Sequence, residues 1–146
     1  MGRPTKGVQI LRIDLVGCSF HWKPQPMPAA APTGPAQLEF GVHRQVLSAD
    51  PRDVMLTLTV EARGHHADVT VWEMSVTYVG RFSLQEPAEI TLQQLLDVHG
   101  PAYVYTFCRE CIADLARRSR VADDLLIPPF NFQAEGLGSS SSSAPK

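Results

Sequence analysis

The chain is short of several things, and each shortage removes a class of protein. No apolar run approaches the roughly 18 residues that a membrane-spanning helix needs, so no membrane insertion is expected. Cysteine occurs only 3 times in 146 residues, an odd number that makes no disulfide framework. Neither sign of charge is in excess: 13 Lys and Arg stand against 15 Asp and Glu, a net of −2. A nucleic-acid binder ordinarily carries a clustered basic surplus, so none is expected here. After Met1-Gly2-Arg3-Pro4-Thr5-Lys6 no apolar stretch follows, so no secretory signal is read and a cytoplasmic location is expected. The nucleophile-elbow, phosphate-loop, dinucleotide and zinc-protease signatures are all missing. Asp50, Asp53, Glu61, Asp114, Asp123 and Asp124 read as turn and surface acids, and nothing sets a nucleophile beside a base. No enzyme is expected.

What is there describes one folded domain. A hydrophobic share of 44% supports a core. Residues 8–22 read as a long first strand, bent near Gly17, with Val8, Ile10 and Arg12 on one face and Leu11, Ile13 and Leu15 on the other. Pro24, Pro26, Pro28, Pro32 and Pro35 follow, and prolines lack the N–H a sheet requires, so 24–36 reads as an exposed crossover loop. Leu38, Phe40 and Val42 alternate with polar residues or glycine in a second strand. Val54, Leu56, Leu58, Val60 and Ala62 alternate most clearly, in a third. A polar turn over 63–68 leads to a fourth strand at about 69–84, with a bulge expected at Gly80.

Beyond Pro87 the period changes. Thr91 and Gln94 resemble a capping box opening a short helix from Leu92 to Val98. Gly100-Pro101 reads as its end and as the start of a second helix of about 18 residues. In that helix Val104, Phe107, Cys108, Cys111, Ile112 and Leu115 recur at three- and four-residue steps, and Arg117, Arg118 and Arg120 close it. Residues 125–132 read as a packed apolar loop, and 136–146 as a disordered serine-rich tail after a domain spanning 8–135. Residues 1–7 read as a flexible N-terminus.

Cys108-Arg109-Glu110-Cys111 has the spacing of a metal or redox pair, but Cys18 is far off in sequence and no fourth zinc ligand is in view. Both helix cysteines fall on an apolar face, where cysteine behaves as a small hydrophobe. His65-His66 reads as a polar loop. No metal and no cofactor are expected. The unusual feature is apolar surplus: Leu38, Phe40 and Val42 after the proline segment, and Leu125, Leu126, Ile127, Phe130 and Phe132 after the long helix. These residues either cover one side of a small core or line a groove, and exposed apolar surface of that extent signals association.

Ile10-Leu11-Arg12-Ile13 with Cys18-Ser19-Phe20 resembles the first strand of SecB, the bacterial export chaperone family. Val54 to Val60, Gly80-Arg81-Phe82-Ser83-Leu84, Phe107 to Ile112 and Pro129-Phe130-Asn131-Phe132 resemble later segments of that family in the same order, over residues 8–133. The resemblance implies an α+β fold, a four-stranded antiparallel sheet with one long helix and short helices on one face. It implies an ATP-independent holdase for unfolded or precursor polypeptides, assembled as a homotetramer, a dimer of dimers, and serving protein export. Carried over by position, Leu38, Phe40, Val42, Phe107, Leu126, Phe130 and Phe132 would line the client groove. The face that docks the export motor SecA would present Gly17, His21, Glu73 and Ser75, with few acids, so weak docking is expected. The family's second helix would be short or missing where Gln133-Ala134-Glu135-Gly136 runs into serine. The alternative is an adaptor using the same apolar surface for one fixed partner, such as an antitoxin-type client.

Overall fold

The structure is a computed structural model that describes residues 6–23, 37–66, 69–119 and 132. Four strands, β1 (Val8–Trp22), β2 (Gln37–Asp50), β3 (Asp53–His66) and β4 (Val69–Leu84), form one antiparallel sheet in the order β1-β4-β3-β2. A helical stretch follows: α1 (Leu92–Gln94), a π-helical turn (Leu95–His99) and α2 (Gly100–Arg118). The proline-rich crossover 24–36, the apolar loop save Phe132, and the tail 136–146 lie outside the described residues. Of the N-terminal segment, Lys6 and Gly7 are tied down: their carbonyls accept from Glu89 N–H (3.0 Å) and Gln85 N–H (2.9 Å).

The strict alternation of β3 does what its pattern dictates. Val54, Leu56, Leu58, Val60 and Ala62 are all fully buried on the helix side of a central strand. Side chains of this size contribute about 1.5–3 kcal/mol each when removed from water, so β3 anchors the core. β3 runs on to His66 and takes in residues that the sequence reads as turn.

Three expectations are corrected. In β1, the ladder slips between Ile10 and Arg12 and between Leu15 and Gly17, leaving Leu11 and Val16 as extra residues. Each extra residue flips the phase of the pleat, so Val8, Ile10, Ile13, Leu15, Cys18, Phe20 and Trp22 share the helix-side face, and Arg12 points away. Gly80 makes no bulge; it pairs regularly with Ile13 and Leu56. A Cβ there would lie 2.7 Å from Val104 Cγ2 and 2.9 Å from the Phe82 ring, so the glycine lets α2 approach the sheet.

Gly100-Pro101 does not end a helix. Gly100 is itself right-handed helical (φ −62°, ψ −53°), and its N–H reaches back five residues to Leu95 O. The widened turn takes a proline, which has no N–H to offer, without interrupting the helix. The capping box at Thr91 forms as read, with Thr91 Oγ1 accepting from Gln94 N–H at 3.1 Å and Gln94 Oε1 from Thr91 N–H at 2.9 Å. Arg44 of β2 holds this turn against the sheet, donating to Leu96 O and Asp97 Oδ1, each at 2.8 Å. A hydrogen bond from Gln93, then the Arg44 guanidinium, keeps the Asp97 carboxyl below its ordinary range.

Candidate functional site

The sheet is wider than its helix. α2 packs on β4 and β3, with Tyr103 beside Phe82 (ring centroids 6.2 Å) and Phe107 beside Tyr78 (5.9 Å). Edge strand β1 turns an apolar face to the same side and is left largely uncovered. Ile10 is 45% exposed, Leu15 49% and Trp22 57%, and Phe107 on the flank of α2 is 40% exposed. Phe20 lies among aromatics, edge-on to Trp22 at 5.5 Å and stacked on Trp72 at 6.3 Å. The result is a continuous apolar strip along β1, floored by Tyr78 and walled by Phe107. Tyr78 is desolvated there, which pushes its hydroxyl up to about 12.

Of the residues that the resemblance assigns to one groove, the described ones divide between the core and the surface. Phe40 (5% exposed), Val42 (1%) and Phe132 (4%) are core members of the single chain. Phe132 closes edge-on against Tyr105 of α2, ring centroids 5.6 Å apart. Leu38 is half-buried on β2, at the edge opposite β1, whereas Phe107 stands on the β4 side of the helix. Leu126 and Phe130 lie outside the described residues. The strip on β1 is absent from that assignment. Its signal is visible afterwards: Ile10-Leu11 and Leu15-Val16 are adjacent apolar pairs where alternation breaks, and both pairs contain a bulge residue.

The opposite face of the sheet is polar. Gly17, His21, Glu73 and Ser75 do come together there: His21 pairs with Glu73 across β1 and β4, Ser19 with Ser75, and Gly17 with Thr77. His21, Glu73 and Ser75 join Ser19, Glu61 and Arg63 around a shallow hollow. The acids on this face are answered locally. Lys23 Nζ sits 2.9 Å from Glu73 Oε1, and that hydrogen bond lowers the Glu73 carboxyl from its ordinary range. Glu61 meets His43 at 3.2 Å, and Glu39 meets His65 at 3.0 Å and Arg63 at 3.5 Å.

Cys108 and Cys111 pack on the apolar face of the helix, and all three cysteines are free. Cys108 is buried, its Sγ donating to Leu58 O at 3.8 Å, and desolvation pushes its thiol up to about 12. Cys111 is half-buried on α2, where desolvation raises its thiol above the ordinary value, and Cys18 is exposed on β1. Among the described residues no group of three His, Cys, Asp or Glu side chains is arranged to hold a metal ion.

A one-layer sheet backed by one long helix leaves an apolar flank open, the kind of surface that serves association. A family model described as preprotein translocase subunit SecB matches residues 4–135, and the chain belongs to that family. The protein-export protein SecB of Halorhodospira halophila is 32% identical over 114 residues, which are 78% of this chain and 58% of that protein. That of Nitrosococcus oceani is 30% identical over 114 residues, 78% of this chain and 62% of its own. The chain therefore spans about three fifths of the length of these curated relatives. Among solved structures, a Mycobacterium tuberculosis SecB-like chaperone in complex with an antitoxin peptide superposes with a TM-score of 0.63 at 16% identity, over 85% of this chain and 88% of that one. The likeness bears out the expected four-stranded sheet with its long helix.

Proposed function

We propose that this protein is an ATP-independent holdase of the cytoplasm, assembled from copies of itself, that keeps unfolded or precursor polypeptides from aggregating. The observation that carries this is the width mismatch between sheet and helix. Ile10, Leu15, Trp22 and Phe107 present contiguous apolar surface that the single chain does not cover. Exposed apolar surface of that extent marks association, with a second copy along β1 and with unfolded chain elsewhere, since apolar contacts add affinity without demanding a sequence.

The two edges of the sheet divide the work. β1 is a long edge strand with unpaired backbone groups beside apolar side chains, the combination that recruits a second strand, so a second copy covers it. Client binding then falls to the β2 edge, where Leu38 is half-buried beside the core residues Phe40 and Val42, and to Leu126 and Phe130 as the family resemblance assigns them. The test is suppression of light scattering by three unrelated denatured globular proteins, without nucleotide. Protection of all three supports the holdase; tight binding of one and indifference to the rest replaces it with the fixed-partner adaptor.

Docking on SecA is expected to be weak, because Glu39, Glu61 and Glu73 are each engaged by a neighbouring cation or histidine and leave little unanswered negative charge for a basic partner. Calorimetric titration with SecA at physiological salt checks this, and a sub-micromolar Kd would reverse it.

A further inference from the structure

β2, β3 and β4 each bring a polar side chain to the same corner of the sheet, on the face turned away from α2. The ladder between β3 and β4 slips between Gly64 and His65, so Val71 is an extra residue and Thr70 stands directly across from His65. Glu39 of β2 pairs with Arg63, which makes it a diagonal neighbour of His65, within reach of a long side chain. The contacts close accordingly. His65 Nε2 lies 3.0 Å from Glu39 Oε1, and Thr70 Oγ1 lies 3.1 Å from His65 Nδ1. A carboxylate only accepts, so in the neutral imidazole Nε2 carries the proton and donates to Glu39. Nδ1 then keeps its lone pair, and the Thr70 hydroxyl donates to it. The imidazole is the shielded member, with 21% of the His65 side chain exposed against 42% for Glu39. None of the three residues lies on β1, so the group does not depend on that edge being uncovered.

A hydroxyl bonded to an imidazole whose other nitrogen is held by a carboxylate is the arrangement that activates an oxygen nucleophile. From this geometry we infer that Thr70, His65 and Glu39 form an acyl-transfer site for activated esters, with Thr70 as nucleophile, His65 as base and Glu39 as positioning residue. Thr70 Oγ1 attacks the acyl carbon while His65 Nδ1 takes the hydroxyl proton. The carbon–oxygen bond to the leaving group breaks with its electron pair, and His65 returns the proton to the departing oxygen, which gives acyl-Thr70 and a free alcohol. Water then attacks the acyl carbon with His65 again as base, and the carboxylic acid leaves as Thr70 recovers its proton. The sum is ester plus water to acid plus alcohol, with nothing oxidised or reduced. In both halves the Glu39 carboxylate holds the ring in one tautomer and stabilises the imidazolium that forms. Aryl esters are the class that suits such a site, because an aryloxide departs with little assistance. The activity is separate from client binding and does not depend on the chaperone reading.

The experiment incubates the full chain with p-nitrophenyl acetate, follows nitrophenolate release, and maps the acetyl group by peptide mass after an acid quench. The expected result is acetyl-Thr70, with release continuing beyond a single equivalent of protein. His65→Gln should lower the rate by about a hundredfold or more and remove the acetyl group from Thr70. Thr70→Val should do the same, and Thr70→Ser should restore both, each with the far-UV spectrum of the parent. Glu39→Gln should lower kcat by about tenfold or more with KM little changed, as expected of a group that orients the base without touching the ester. His43→Gln, which breaks a second histidine–glutamate contact on this face, should leave the rate near that of the parent. Acetyl groups confined to lysines or the α-amino group, acetyl-Thr70 formed equally fast in His65→Gln, or an unchanged rate in Thr70→Val would each overturn the inference.

Discussion

β3 and β1 carry similar apolar residues on the same face of one sheet and meet opposite fates. The inward residues of β3, from Val54 to Ala62, are fully buried, while Ile10, Leu15 and Trp22 of β1 remain about half exposed. Chemistry does not separate them; position does. β3 sits in the middle of the order β1-β4-β3-β2, beneath α2, and β1 lies at the edge beyond the helix. In β3 an apolar side chain stabilises the chain itself. In β1 the same side chain is available to something else.

The largest effects should come from emptying the covered side. Leu58→Ala or Phe40→Ala should cost about 2–5 kcal/mol in urea unfolding, because each leaves a cavity in a closed core. Leu15→Ala, measured at concentrations low enough to give the single chain, should cost about 1 kcal/mol or less. Equal losses at Leu58 and Leu15 would mean that β1 is as well covered as β3, and the comparison would fail.

The glycines sharpen the contrast at the next level down. Gly80→Ala puts a methyl against Val104 and the Phe82 ring and should destabilise by about 1–3 kcal/mol through overpacking. Gly17→Ala meets nothing within 4 Å and should change stability by no more than about 0.5 kcal/mol. Thermal denaturation of the two variants side by side separates them. Phe107→Ser tests what the open strip is for: assembly should weaken, seen as a lower mass by light scattering at micromolar concentration, while the unfolding midpoint of the dilute chain stays near that of the parent.

The smallest effect lies on the polar face. The Glu73 carboxyl is lowered by its hydrogen bond to Lys23, so its contribution is complete above the unfolded carboxyl value of 4.5 and is lost as pH falls through the lower folded value. Exposure and solvent screening keep it to about 0.5 kcal/mol or less. Glu73→Gln should lower stability by that small amount at neutral pH, leave the acid limit unchanged, and so flatten the profile between them; a steeper acid loss in the variant would reverse the assignment.

Strand and helix positions were legible because they rest on short-range periodicity. β4 runs over Val69–Leu84 where the pattern places it, and Thr91 caps the helix through the residues that announce it. The faces of β1 were not legible, since a bulge adds one residue without any chemical mark beyond a doubled apolar pair, and a shift of one inverts every side chain after it. The role of Gly80 was misread for a related reason: an isolated strand glycine is compatible with a bulge or with close approach of another element, and only the position of Val104 distinguishes them.

By itself, then, the order of residues determined the elements, their polarity, the family and the absence of the recognised catalytic signatures, all of which depend on neighbours within a few positions or on motifs read in sequence. Tertiary structure decided which apolar residues are core and which are surface, because burial depends on what crosses above a strand. It took Phe40, Val42 and Phe132 into the interior, left Ile10, Leu15 and Trp22 outside it, and turned Phe107 toward β4. No local pattern encodes that sorting; it exists only because β1 pairs with β4 at the edge of the sheet and α2 packs over β4 and β3.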